Sequence, residues 1–340
     1  MVVVGCVILP HGAMTFDGNP NVADNTPTAE RVKTISSTQR QDCGVLFTSC
    51  FKAAEIVKST SPDVIFLNTP HGICLSDALG VYLNPRAKGT AEWNNQWSEF
   101  EVDVELDSNL ASKFLEHLQS DGIAAEGITA FSKCEMPLRW GEVIPMWFLQ
   151  DLMLAGERRV KVVIFSNPVN KRRAPTPFSS VVNVGRSIAK FLKGLDQRIL
   201  YVVSGDLAHT HKTNCQDQLY LPDPRWSSAI SPTALPFDLS VENWIKGVPF
   251  IEKDISEPVK STEMHITQWN ATVAKDAEQW LSKATDLKSS ALSCGIFGFG
   301  VLHGLLLVEI EQGTGFTAHF LCRLAPTYYG MMVAAFVKEI

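Results

Sequence analysis

Val2-Val3-Val4-Gly5-Cys6-Val7-Ile8-Leu9-Pro10-His11-Gly12 is an apolar run that ends on Pro-His-Gly. It is rich in β-branched residues and shows no polar alternation. A strand with one wet face alternates, whereas a strand covered on both faces reads as a continuous hydrophobic run. The stretch is therefore expected to be a buried parallel strand. Asp63 to Leu67, Val160 to Phe165 and Ile199 to Val203 have the same character.

Helical periods lie between these runs. Cys50 to Ser59 spaces Phe51, Ala54, Ile56 and Val57 for one helix face, Ala111 to Gln119 does the same with Phe114, Leu115 and Leu118, and Ala189 to Leu195 precedes the fourth run. Strands alternating with helices imply right-handed crossovers and a parallel sheet. The stretch from Leu79 to Leu106 differs: it alternates at Val102, Val104 and Leu106 and carries Trp93, Trp97 and Phe100. It is expected to be an antiparallel excursion covering the sheet edge. Val273 to Leu281 and Ser289 to Leu307 read as helices, and Phe316 to Leu321 and Met331 to Phe336 as closing strands. Lys171 to Pro177 is a basic loop, and Lys212 to Pro236 a Pro- and Asp-rich connection or lid. No repeat or composition shift marks a boundary, so the expectation is α/β: a single elaborated domain over 1–340, with a central mostly parallel sheet flanked by helices.

The 340 residues are 45% hydrophobic and 19% charged, with net charge -6. Disorder is excluded by that core content, and a duplex nucleic-acid binder would need a concentrated basic surface. No apolar run reaches the roughly 18 residues of a membrane helix. The first run lacks the basic flank and small-residue cleavage site of a signal peptide. Eight cysteines include no Cys-x-x-Cys pair. Cys6, Cys74 and Cys322 sit in or beside apolar runs, as free buried thiols do. A reduced, cytoplasmic protein with neither nucleic-acid nor membrane partners is expected.

Three of the apolar runs end alike. They lead into Leu9-Pro10-His11-Gly12, into Asn68-Thr69-Pro70-His71-Gly72 and into Ser204-Gly205-Asp206-Leu207-Ala208-His209. Ligands of open α/β sheets bind beyond the carboxyl ends of the strands, so three imidazoles delivered there can meet at one point, and His11 and His71 are expected to share a metal. A lone strand-end histidine is more often structural, and His117, His265 and His319 are read that way, with His211 a weaker neighbour of His209. Gly12 and Gly72 permit tight turns and close approach to a ligand.

The Leu9–Gly12, Thr69–Gly72 and Val203–His209 segments resemble, in order and spacing, three signatures of the class III extradiol ring-cleavage dioxygenases. This is the family of the catalytic subunit of protocatechuate 4,5-dioxygenase. Pro137 to Leu149, Phe237-Asp238, Cys294 to Leu306 and Pro326 to Phe336 are similar to further family segments. The resemblance implies non-haem Fe(II) held by two histidines and a carboxylate, with open positions for a catecholate and O2. It places His11 and His71 as metal ligands and His209 as the acid/base. Asp206 either orients its loop or caps a helix start. The implied partners are a small aromatic substrate and O2, with a homodimer or a small accessory subunit left open.

Two departures stand out. Arg139-Trp140-Gly141 replaces the family's Asp-His-Gly, so Trp140 can shape a ring pocket but cannot transfer a proton there. Ser293-Cys294-Gly295 stands where the family has its ligating Glu, as in the related Memo-like branch. Cys294 either ligates as thiolate or packs as a small buried residue; a His2Cys set would turn preference from iron toward Zn or Cu. The expected function is extradiol opening of a catechol-type ring, with Trp140, Phe16 and Trp147 as aromatic walls. The alternative is a metal-binding, Memo-like adaptor or hydrolase-like protein on the same fold. Lys171, Arg172 and Arg173 are open to two readings, a substrate-carboxylate patch or a solvated loop.

Overall fold

A computed structural model describes residues 3–131, 134–154, 159–169, 176–212, 230–251 and 260–338. The first apolar run forms β1, Val3–Leu9, buried throughout. A 3-10 turn, Ala13–Gly18, leads to α1, Pro27–Val32, and α2, Ser37–Lys58. A capping box between Ser36 and Gln39 starts α2 thirteen residues earlier than its apolar spacing suggests. The buried face of α2 is Cys43, Leu46, Phe47, Cys50, Ala53, Ala54 and Val57, and Phe51, expected inside, is 37% exposed.

The chain continues through β2 (Val64–Thr69), β3 (Leu79–Tyr82), β4 (Arg86–Thr90), β5 (Glu101–Glu105), α3 (Ser108–Ser120), β6 (Ala125–Ile128) and β7 (Met136–Leu138). Next come α4 (Trp140–Phe148), α5 (Gln150–Leu154), β8 (Lys161–Ser166), α6 (Phe178–Lys193), β9 (Ile199–Ser204) and α7 (Ala234–Lys246). The chain closes with β10 (His265–Trp269), α8 (Ala271–Ala291), α9 (Ile296–Glu311), β11 (Phe316–Leu324) and β12 (Met331–Lys338).

Nine strands form one sheet in the order β10-β11-β12-β1-β9-β2-β8-β3-β6. Its central four, β1, β9, β2 and β8, are the four apolar runs, and they are mutually parallel. The closing strands add antiparallel beside β1. The sheet is thus an α/β sheet with helices on both faces. Its strands serve two cores by strict alternation: Cys6 and Ile8 face α6 to α9, while Val7 and Leu9 face α2 and α4.

The excursion after β2 divides. Strand β3 joins the main sheet antiparallel to β8, whereas β4, β5 and β7 build a separate three-stranded sheet. In β5, Val102 and Val104 are buried while Glu101, Asp103 and Glu105 are exposed, the pattern of a sheet with one wet face.

The expected helix over Ser289 to Leu307 is two helices. Leu292 adopts the left-handed conformation (φ 58°) and its N–H donates to the Lys288 carbonyl, closing α8. Gly295 then starts α9. Cys294 lies in this break, outside either helix. The Lys171–Pro177 loop falls almost entirely outside the described residues, as do 213–229 of the later connection; the end of that connection is helical, since α7 begins at Ala234. Cys74, expected buried, is exposed. Among the described residues, no helix is long and apolar enough to cross a membrane.

Candidate metal centre

The loops after β1, β2 and β9 and the break before α9 meet at the carboxyl rim of the sheet. The rings of His11 and His71 lie edge-on, with centroids 4.6 Å apart and planes at 89°. Cys294 Sγ is 3.3 Å from His11 Nε2 and 3.5 Å from His209 Nε2. Asp206 Oδ2 is 3.3 Å from His11 Nε2. One ligand atom from each of His11, His71 and Cys294 lies within 4.8 Å of the others, and the same holds for Asp206, His209 and Cys294. Every metal and acid/base candidate read from the sequence is therefore in one cluster.

The hydrogen bonds fix the His11 tautomer. Ser204 Oγ donates its only proton to the Gly141 carbonyl, so at its 2.9 Å contact with His11 Nδ1 it must accept. The His11 proton sits on Nδ1, and the Nε2 lone pair faces Cys294 and Asp206, as a ligating imidazole requires.

Asp206 resolves one open alternative. Its Oδ1 accepts the His11 backbone N–H at 3.1 Å, and the Gly12 N–H also reaches the carboxylate. Its carbonyl accepts the Gly295 N–H and the Ser293 hydroxyl. Residues 207–212, which follow it, are not helical. Asp206 thus ties the β1 turn to the start of α9 and does not cap a helix. Asp238 steadies the adjoining loop, accepting from Ala208 N–H at 2.9 Å and lying 2.7 Å from His211 Nε2. That pair also places His211 as a buried supporting residue.

His71 is held by α4. A Cβ on Gly141 would stand 2.7 Å from that of His71, so only glycine allows this approach. Tyr82 Oη accepts the Ile73 N–H at 2.6 Å and donates to Glu142 Oε1 at 2.9 Å. Gly72 packs against the same Tyr82 and Glu142 groups, and Gly12 against Tyr329 and Met331. Both glycines are therefore packed and do not face open pocket space. Trp140 borders the centre, 5.9 Å from the His71 ring and edge-to-face with Trp93. Phe16 and Trp147, expected as further walls, lie in an aromatic core with Phe100 and Phe148. The stacking surface they offer is consumed there.

Burial governs the ionisation. It holds His71 down at about 4 and His209 at about 3, the latter also opposed by the charges of His71 and His211. His11 is lowered by burial and then by His71 and His209. All three imidazoles are thus neutral, the form that binds metal. Burial lifts Asp206 to about 7 against the pull of the His11 and Gly12 N–H groups. Burial and then Asp206 push the Cys294 thiol up, so its thiolate requires a cation alongside. Three neutral imidazoles, the His11 lone pair turned inward, beside a thiol and a carboxyl fit a divalent transition ion.

Sequence reasoning did not reach Ser204, Tyr82, Glu142 or Tyr329. The bonds that tie Ser204 to His11 and Tyr82 to Glu142 span 193 and 60 residues, beyond any local signal. His303, a fully buried histidine of α9 that accepts from Trp244 Nε1, lies in the core.

The family described as the catalytic LigB subunit of aromatic ring-opening dioxygenase matches residues 32–252, well over half the chain. His71 and His209 fall within the match, and His11 and Cys294 outside it. No curated protein matches the chain. Among solved structures, uncharacterized protein JW3007 from Escherichia coli K12 has a similar fold, with a TM-score of 0.51 and 13% identity over 98% of this chain and 99% of that one.

Proposed function

The chain belongs to the family of the catalytic LigB subunit of aromatic ring-opening dioxygenase, and on that premise we propose that it is a non-haem Fe(II) extradiol dioxygenase acting on a catechol-type substrate with O2. The observation that carries the reading is the convergence of His11, His71 and His209, neutral and from three different strands, on Cys294 at the sheet rim. His11 and His71 would hold the metal, with Cys294 the nearest third donor. When bound, the metal brings catecholate and O2 together and supplies the redox chemistry.

The remaining work belongs to side chains. His209 is neutral at neutral pH and half-buried, so it can take a phenolic proton and return it during ring opening. Asp206 keeps the His11 turn in place. Trp140 offers an aromatic side to the centre but no acid/base group. Anaerobic loading with Fe(II), followed by a catechol panel and O2, should yield a yellow ring-opened product. Bound iron with no turnover across the panel would sink this reading.

Cys294 favours a second reading. A sulfur donor 3.3 Å from His11 Nε2 suits zinc or copper better than a carboxylate would, as expected for a Memo-like protein that binds metal without ring cleavage. Tightly held Zn or Cu with no oxygen uptake would support it, and zinc or copper binding undiminished in Cys294→Ala would count against it.

A further inference from the structure

We propose that the Tyr329 hydroxyl is a hydrogen-bond donor to one oxygen of the bound catechol-type substrate, an inference that rests on the function proposed above. Tyr329 lies between β11 and β12, and its ring stands 5.5 Å from that of His209. The same ring covers the His11–Gly12 turn. A Cβ on Gly12 would meet Tyr329 Cε2 at 2.6 Å and the hydroxyl at 3.2 Å. The Tyr329 ring is thus placed between the turn that delivers His11 and the ring of the acid/base, with its hydroxyl beside that turn.

Its surroundings hold the ring and leave the hydroxyl spare. The backbone N–H of Tyr329 reaches Thr327 Oγ1 at 3.4 Å, and its ring meets that of Tyr328 edge-on at 5.1 Å. Among the described residues the hydroxyl has no hydrogen-bond partner. The side chain is half-buried and not sealed. The hydroxyl is not a buried orphan, so it is open to water, and a ligand oxygen can take that place. Burial, then the nearby Asp206, keep the phenol protonated, so it can only donate to an anionic oxygen.

All three imidazoles present lone pairs or are neutral bases, and Trp140 occupies the position where a second acid/base residue was expected from the resemblance. A substrate with two adjacent oxygens satisfies both groups: one oxygen yields its proton to His209, and its neighbour accepts from Tyr329. A substrate with one oxygen cannot. The inferred consequence is discrimination between vicinal diols and simple phenols, since a site built to bond an oxygen disfavours the analogue without it.

The test uses the Zn(II)-loaded protein, which does not turn over, titrated with 4-nitrocatechol and followed by visible absorbance, with 4-nitrophenol as the one-oxygen probe. Tyr329→Phe should weaken 4-nitrocatechol about tenfold and leave 4-nitrophenol affinity, zinc stoichiometry and Tm unchanged. Unchanged 4-nitrocatechol affinity in the variant would overturn the inference while leaving the dioxygenase reading standing. A variant that loses zinc or stability would overturn it too, by showing a structural hydroxyl. Failure of the unmodified protein to bind 4-nitrocatechol at all would remove the dioxygenase reading and this inference with it.

Discussion

Ser204 decides which nitrogen of His11 faces the cavity. Its hydroxyl proton is committed to the Gly141 carbonyl, and its lone pair receives His11 Nδ1–H. Ser204→Ala removes that acceptor and frees the ring to take the other tautomer. Outer partners of this kind are typically worth 10- to 100-fold in metal affinity. Ser204→Ala should weaken metal binding by about that factor, measured by chelator competition, and no change would argue that His11 is not a ligand. Cys294→Ala should cost more than Cys294→Ser if sulfur ligates, since serine retains a weak oxygen donor in place. The three strand-end histidines were legible because apolar runs and Pro-His-Gly endings are local signals. Ser204 was visible only as the end of a strand; its bond to Gly141, across 63 residues, has no local trace. Glycine identity at 12 and 72 was legible, its purpose less so, because a close approach by Tyr329 or Tyr82 is a tertiary fact.

At the scale of elements, α4 carries more than its sequence suggests. Its first turn provides Gly141, against which His71 and Ser204 rest, and Glu142, which anchors Tyr82 and through it the Ile73 N–H. One helix terminus therefore sets two of the three histidine loops. On the opposite face, α6 and α9 cross at Gly185 and Gly304. A Cβ on Gly185 would stand 2.0 Å from the Val301 carbonyl oxygen, and one on Gly304 2.1 Å from that of Val182. Backbone cannot yield as a flexible side chain does, so Gly304→Ala should cost about 1–3 kcal/mol or more despite the better helix propensity of alanine. Urea denaturation would measure this, and a stabilised variant would contradict the packing. The break between α8 and α9 escaped periodicity for a related reason. Apolar spacing runs on through Leu292, and nothing in that spacing reveals a leucine in the left-handed region. Cys294 owes its place at the centre to that break.

For the whole molecule, the parallel core of the sheet was legible and its margins less so. The four continuous apolar runs are the four central strands, whereas the second small sheet emerges from pairings such as Ala87 with Val104 and Met136 that span distant segments. Glu142 makes one contribution to the pH dependence of stability, in the same sense as Asp206 and against His71 and His209, whose lowered values favour the folded state as pH rises. Burial raises the Glu142 carboxyl from 4.5 to about 7. Between those values the folded protein holds a proton on Glu142 that the unfolded chain releases, so the contribution of this group to stability should fall as pH rises from about 4.5 to 7 and level off above. The shift corresponds to about 3 kcal/mol. Glu142→Gln, which keeps the shape without the charge, should remove that fall, so that the stability of the variant relative to the parent rises between about pH 4.5 and 7 in metal-free protein; an unaltered slope would show that Glu142 titrates normally. Metal that binds only the folded state should also raise Tm in proportion to its concentration over its Kd.

The central claim is that His11 and His71 share one cation at the carboxyl rim of the sheet. Anomalous scattering at the metal edge, from crystals of the anaerobically Fe(II)-loaded protein, addresses it most directly. The account predicts a peak within bonding distance of His11 Nε2 and of the His71 ring, beside Cys294. A peak elsewhere, or one bound by only one of the two imidazoles, would contradict it.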